Sequence, residues 1–290
     1  MLREQQPAVS LFALGMIALG TLSVLYKDFA YSWQPVPAFH GREALAIICG
    51  LFMIAAGIAL LFRATAALAA RAFFVYLILW QCLKIPALIV APKIEGVWLG
   101  FGEAGMLLAG GWVLFALVSG LEGSPIFRHI TGARGVRYAQ ILFGICVLPV
   151  GLSHIMYVHI TTTLVPSWLP FRTGFAYLTG AGQMACGLGI LFLVLPRAAA
   201  YIETAMLALF AFLVWGPNTW FASTPKMTGS PTGPRFPLTA FLITWVIGAA
   251  ALLVATNIAP KSRDLTRRQR NIEADEQVAR LRASPRAPVQ

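Results

Sequence analysis

Charge is scarce in this sequence. Only 11% of its 290 residues are Asp, Glu, Lys or Arg, against 58% that are hydrophobic, and the mean hydropathy is +0.75. Soluble domains carry about a quarter charged residues, so this composition excludes that class and leaves an integral membrane protein. Sustained period-two alternation is also lacking, which excludes a membrane β-barrel reading. The helix, which satisfies its own backbone hydrogen bonds, remains as the spanning form. Cysteine is sparse: Cys49, Cys82, Cys146 and Cys186 stand singly in apolar runs with no C-x-x-C pair, and read as small core hydrophobes. Nor is there a phosphate-binding loop, a G-x-G-x-x-G turn, a metal-ligand cluster or an ordered Ser/His/acid set. No catalytic motif, metal site or cofactor is evident.

What is present is a series of long apolar runs. A crossing helix needs about 20 such residues, and eight runs approach that length, at 9–26, 44–62, 66–90, 97–119, 137–158, 174–195, 198–216 and 236–256. The first begins like a signal peptide, with Arg3 before an apolar run, but no clear small-residue cleavage site follows, and it is expected to be retained. The net charge of +11 is unevenly spread, since eight of the 22 Lys and Arg residues follow Pro260. The basic character therefore belongs to a tail of alternating charged blocks, a solvated extension able to lie near anionic lipid, and no motif points to nucleic acid. Fifteen of the cations fall on the side of the two termini and seven on the other, which places both termini in the cytoplasm.

The runs are written twice. "GLFMIAAGIALLF" at 50–62 aligns without a gap on "GAGQMACGLGILF" at 180–192, and "GTLSVLYKDFAYSWQPVP" at 20–37 aligns on the start of "GLSHIMYVHITTTLVPSWLP" at 151–170. Gly20 pairs with Gly151, Tyr26 with Tyr157, Pro35 with Pro166 and Gly50 with Gly180. Four helices return the chain to the side it left, so the copies would face the same way, as parallel repeats do. The expected architecture is all-α: eight transmembrane helices as two four-helix repeats. Residues 1–120 and 137–258 form the units, 121–136 a cytoplasmic linker, and 259–290 the basic tail. The repeated glycines read as packing residues that let helices approach closely.

After each unit's first helix comes a proline-rich elbow, with Pro35 and Pro37 in one copy and Pro166 and Pro170 in the other. Each proline fixes φ, lacks an N–H and biases its predecessor towards extended backbone, so a stiff non-helical connector is expected. Trp168 has the amphipathic character favoured at the headgroup level.

Gly151, His154, "VPSWLP" at 165–170 and "YLTGAGQMACGLGILF" at 177–192 together resemble the DoxX-like family of small membrane proteins. The first unit is similar more faintly, with Val24 where that histidine aligns. The resemblance implies a four-helix unit, doubled here, in a bacterial-type inner membrane. Some members of that family are subunits of quinone-linked oxidation of sulfur compounds, and others are linked to redox defence or trafficking. The resulting expectation is a non-catalytic or accessory component working with redox partners. The alternatives are a quinone-linked oxidoreductase membrane subunit and a small-solute transporter using the interface between the halves. The lipid bilayer is the partner that composition implies, quinone is the cofactor that the resemblance admits, and oligomeric state is not legible.

Ionisable residues inside a span are costly and are candidates for function. Lys84 and Glu103 both fall about 9 Å below the outer interface at 1.5 Å per residue, which makes them an ion-pair candidate. Glu203 is expected to pair with Arg197 or Arg71, while Lys27 and Asp28, at the end of the first span, are expected to remain hydrated. His154 and His159 are turned about 140° apart on a helix, which does not suit joint metal binding, and His40 and His129 fall in loops. The ligand-contact candidates are His154, Trp168 and Gln183, grouped near the outer surface for a quinone or small ligand.

Overall fold

A computed structural model gives the architecture and describes residues 2–30, 33–221 and 235–258. The basic tail and the stretch 222–234, which includes Lys226, lie outside the described residues. Among those described, the chain is helical without strands. The helices are α1 (Leu2–Tyr26), α2 (Arg42–Leu61), α3 (Ala66–Val90), α4 (Glu95–Val118), α5 (Gly132–Met156), α6 (Val158–Leu164), α7 (Arg172–Leu191), α8 (Pro196–Leu209), α9 (Gly216–Phe221) and α10 (Arg235–Thr256). A π-helical stretch, Phe210–Trp215, joins α8 to α9 in one continuous rod. The described residues up to Asn257 belong to one compact unit.

Among the described residues, seven helices are long and apolar enough to cross a membrane. The exception among the eight expected spans is α7. At 20 residues it is long enough, but five glycines, two threonines, Gln183 and Arg172 dilute its hydropathy. A second departure is α6: from the expected end of the fifth span onward, Val158–Leu164, which includes the threonine run, closes two further helical turns. The elbow is confined to 165–171, where Val165 is extended at φ −63° and ψ 130°.

Sequence explains the helix ends. α1 stops where Lys27 turns left-handed at φ 50°, with the Asp28 N–H donating to the Ser23 carbonyl at 3.1 Å, a Schellman ending without its usual glycine. Leu193 ends α7 in the same way, with the Val194 N–H on the Gly189 carbonyl at 2.9 Å. On the face opposite the elbows, arginines occupy the carbonyls that helix C-termini leave open. Arg137 donates to Ile190 and Leu191 at 3.2 and 3.0 Å, and Arg71 to Ser119.

Consecutive long helices pack side by side around the unit, α1 on α2, α2 on α3, α3 on α4, α4 on α5, α5 on α7, α7 on α8, α8 on α10 and α10 back on α1. α4 and α10 also cross, where Gly110 admits Ala250. Lipid removes the ordinary hydrophobic drive for helix association, so close approach by small residues matters. A methyl added to Gly20 would meet the Gly50 carbonyl at 2.5 Å, and one on Gly50 would meet that of Gly20 at 2.7 Å. Gly151 and Gly180 stand in the same reciprocal relation, each 2.7 Å from the other's carbonyl. Between α1 and α3 lies an aromatic core in which Phe12 and Phe73 meet edge to face at 6.1 Å, with buried Trp33 from the first elbow beside Tyr76 and Trp80.

Candidate functional site

α5, α7 and the α8 rod carry most of the polar groups buried in the second half. His154 lies less than one turn from the end of α5, and its Nδ1 is 3.0 Å from Thr179 Oγ1 on α7. The Thr179 hydroxyl already donates to the Phe175 carbonyl at 2.9 Å. It therefore accepts from His154 Nδ1–H, which leaves Nε2 with an open lone pair. The imidazole also faces the ring of Phe210, with centroids 5.4 Å apart and planes tilted by 41°. Phe210 opens the π-helical stretch, a local widening of the kind that recurs at functional sites because it re-aims a side chain. Gly180 lets His154 in, since a methyl there would stand 2.8 Å from the histidine Cβ.

One turn further along α7, Gln183 is fully buried and donates through Nε2 to Glu203 Oε1 at 3.0 Å. The expected cationic partner of Glu203 is corrected here. Arg71 is engaged by the Ser119 carbonyl, and the carboxyl is held by an amide from the neighbouring helix. Gln183 Oε1 and Glu203 Oε2 are both buried without a hydrogen-bond partner. His154, through Thr179, and Gln183, through Glu203, thus engage successive turns of α7 with different partners. Trp168 is 70% exposed on the elbow, with Pro166 and Pro170 bracketing its turn.

Lys84 and Glu103 interact electrostatically across α3 and α4. Lys84 is buried, and its Nζ occupies the space that a side chain at Gly100 would take. Nearby, Gln81 Nε2 donates to the Phe101 carbonyl at 3.3 Å, and Tyr157 Oη accepts from the Gly96 N–H at 3.0 Å. Glu95 lies next to that tyrosine, but neither of its carboxylate oxygens makes a hydrogen bond of normal geometry.

Sequence reasoning missed the strongest polar site outside the spans. Asp28, expected to be hydrated, sits between two arginines: Arg42 donates to its Oδ1, and Arg235 Nη2 lies 2.7 Å from Oδ2. The Phe29 N–H adds a bond at 2.8 Å. Partial burial pushes the Asp28 carboxyl up, but the Arg235 and Arg42 contacts and the Phe29 N–H outweigh it and hold the group below the usual carboxylate range. Arg42 and Arg235 are the first residues of α2 and α10, where the helix dipole disfavours a cation, and Asp28 offsets this for both. The arginines also stack on rings, Arg42 over Phe29 and Arg235 over Tyr26, each at 5.2 Å. The available signal was an arginine just ahead of each of two expected helices, at 42 before 44–62 and at 235 before 236–256. Lys27, by contrast, pairs with Glu43 at 3.3 Å with both side chains well exposed.

Residues 143–250, from within α5 into α10, match a family model described as a domain of unknown function, DUF8561. No curated protein and no solved structure matches the chain.

Proposed function

We propose that this chain is an accessory inner-membrane component, built from two DoxX-like four-helix units, that holds a quinone-type ring at His154 for a redox partner. The carrying observation is the histidine itself: fixed through Nδ1 by Thr179, faced by Phe210, and left with an acceptor at Nε2. A hydroxyl of a reduced quinone would donate to that nitrogen while its ring packs on apolar side chains, the usual composition of a small-molecule contact. Trp168 on the elbow would shield the entrance, and Gln183 with Glu203 would form the polar floor one turn deeper.

The two-unit reading draws support from paired features. α2 and α7 are both 20 residues long and start at Arg42 and Arg172; each arginine reaches back to an elbow carbonyl, Val36 at 3.1 Å and Val165 at 2.9 Å. Residues before these helices, Gly41 and Phe171, are both left-handed. Tyr26 contacts the first residue of α10, and Tyr157 contacts the start of α4. In this reading α7 is the eighth span, shielded by α5 and α8, and both termini face the cytoplasm.

The test is titration of the purified full-length protein in lipid nanodiscs with a soluble quinone analogue, read by quenching of tryptophan fluorescence. Wild type should quench saturably, and His154→Ala should lose saturation while Thr179→Ala weakens it. Equal saturation in wild type and His154→Ala would overturn the assignment.

A further inference from the structure

The connector between α4 and α5 carries charge that the site above does not use. Arg128 Nε donates to His129 Nε2 at 3.1 Å, and Arg134 Nη1 lies 2.8 Å from His129 Nδ1. Each ring nitrogen therefore meets a guanidinium. A neutral imidazole has only one acceptor nitrogen, so one of these contacts sets N–H against N–H, and a protonated ring would oppose both. All three side chains are exposed, and neither arginine is paired with a carboxylate among the described residues, so the cluster carries positive charge that no acidic group neutralises. Glu122 lines the same recess beside Gly132, but it forms no ion pair with either arginine.

The start of α5 opens at the same place and adds donors. Thr131, at the capping position, turns its hydroxyl back to the Phe127 carbonyl at 2.9 Å, so no side chain caps the first turn of this 25-residue helix. Gly132 is left-handed at φ 59°, a conformation that only glycine adopts cheaply. Followed by right-handed backbone, it gathers successive N–H groups towards one side, the geometry of anion-binding concavities. Residues 131–134 of this first turn, together with Glu122, Arg128 and His129, line a recess of about 550 Å³. Trp112 Nε1 donates to the Ile130 carbonyl at 2.9 Å and ties the connector to α4.

We propose that this recess binds the phosphate of an anionic phospholipid headgroup. Arg128 and Arg134 would supply charge-assisted hydrogen bonds to its oxygens, and the uncapped N–H groups would complete the cradle. Inorganic phosphate has the same chemistry, but the connector joins two helices apolar enough to cross a membrane, and Ile126 on it is 77% exposed. An apolar side chain turned outward beside arginines matches a segment at the boundary of headgroups and acyl chains. This inference does not rest on the quinone reading.

The test uses the full-length protein in detergent, titrated with phosphatidylglycerol, phosphatidylcholine or inorganic phosphate, with bound ligand counted by native mass spectrometry. Phosphatidylglycerol should occupy a saturable site in preference to phosphatidylcholine, and Arg128→Gln/Arg134→Gln should weaken it about tenfold or more, as expected for the loss of charge-assisted contacts. Arg63→Gln, in the α2–α3 loop, should leave it unchanged. Both substituted arginines are exposed, and helical circular dichroism verifies that the variant is folded. Equal retention of the two lipids, the same phosphatidylglycerol affinity in wild type and double variant, or saturation by inorganic phosphate alone would each overturn the proposal.

Discussion

Replacing Asp28 with asparagine removes one negative charge from between two guanidiniums while keeping the shape of the side chain. Exposed ion pairs contribute about 0–1 kcal/mol, and breaking a fully buried one costs about 3–5 kcal/mol. The Asp28 side chain is 26% exposed, those of Arg42 and Arg235 are 28% and 17% exposed, and the geometry is hydrogen-bonded on both carboxylate oxygens. That places the loss between the limits, at about 2 kcal/mol. For a chain of this size the melting temperature should fall by about 4–8 °C, measured by tryptophan fluorescence of the purified protein in detergent. The pH dependence gives an independent check. The carboxyl's pKa is lower in the folded state than in the unfolded chain, where it is about 3.9. The clamp's contribution is therefore whole above about pH 4 and is lost as pH falls through the folded value. The gap between wild type and Asp28→Asn should be widest near neutrality and close on acidification. A gap that is equally wide at pH 3 and pH 7, or absent at pH 7, would refute the electrostatic account. Glu43→Gln serves as control, because its pair with Lys27 is exposed and its loss should not shift the melt measurably.

Two further outcomes follow from the packing and the first-half charges. Gly151→Ala or Gly180→Ala would drive a methyl to 2.7 Å from the facing carbonyl oxygen and cost about 1–3 kcal/mol, whereas Gly182→Ala, whose nearest neighbour is Met206 Sδ at 3.5 Å, should melt within about 0.5 kcal/mol of wild type. Lys84→Glu should lower the yield of folded protein and Glu103→Lys in the same chain should restore it, read by size-exclusion recovery; a double variant no better than the single would argue against their coupling.

The elbows show how far local sequence reaches. Val165 is extended because Pro166 clashes with helical backbone before it, a property of two adjacent residues. Just upstream that reach ends, since Val158–Leu164 closes two helical turns beyond the apolar run, which local preference does not demand. Most helix ends were legible within a few residues because hydropathy changes abruptly there, although α7, diluted by five glycines, falls outside the set of helices apolar enough to cross. His154 was legible as a polar group under the elbow; Phe210 as its neighbour was not, because a π-helical stretch follows from how a rod is packed rather than from a motif.

Composition, periodicity and the doubled glycine pattern by themselves determined a helical membrane protein and marked the positions where helices come close, because a bilayer admits few backbone forms and small residues alone permit such contact. Tertiary structure decided the pairings: Gln183 with Glu203, and Asp28 with an arginine more than 200 residues away. Those partners are chosen by which helix faces meet after the chain has folded back on itself, and spacing along one strand of sequence does not encode that meeting.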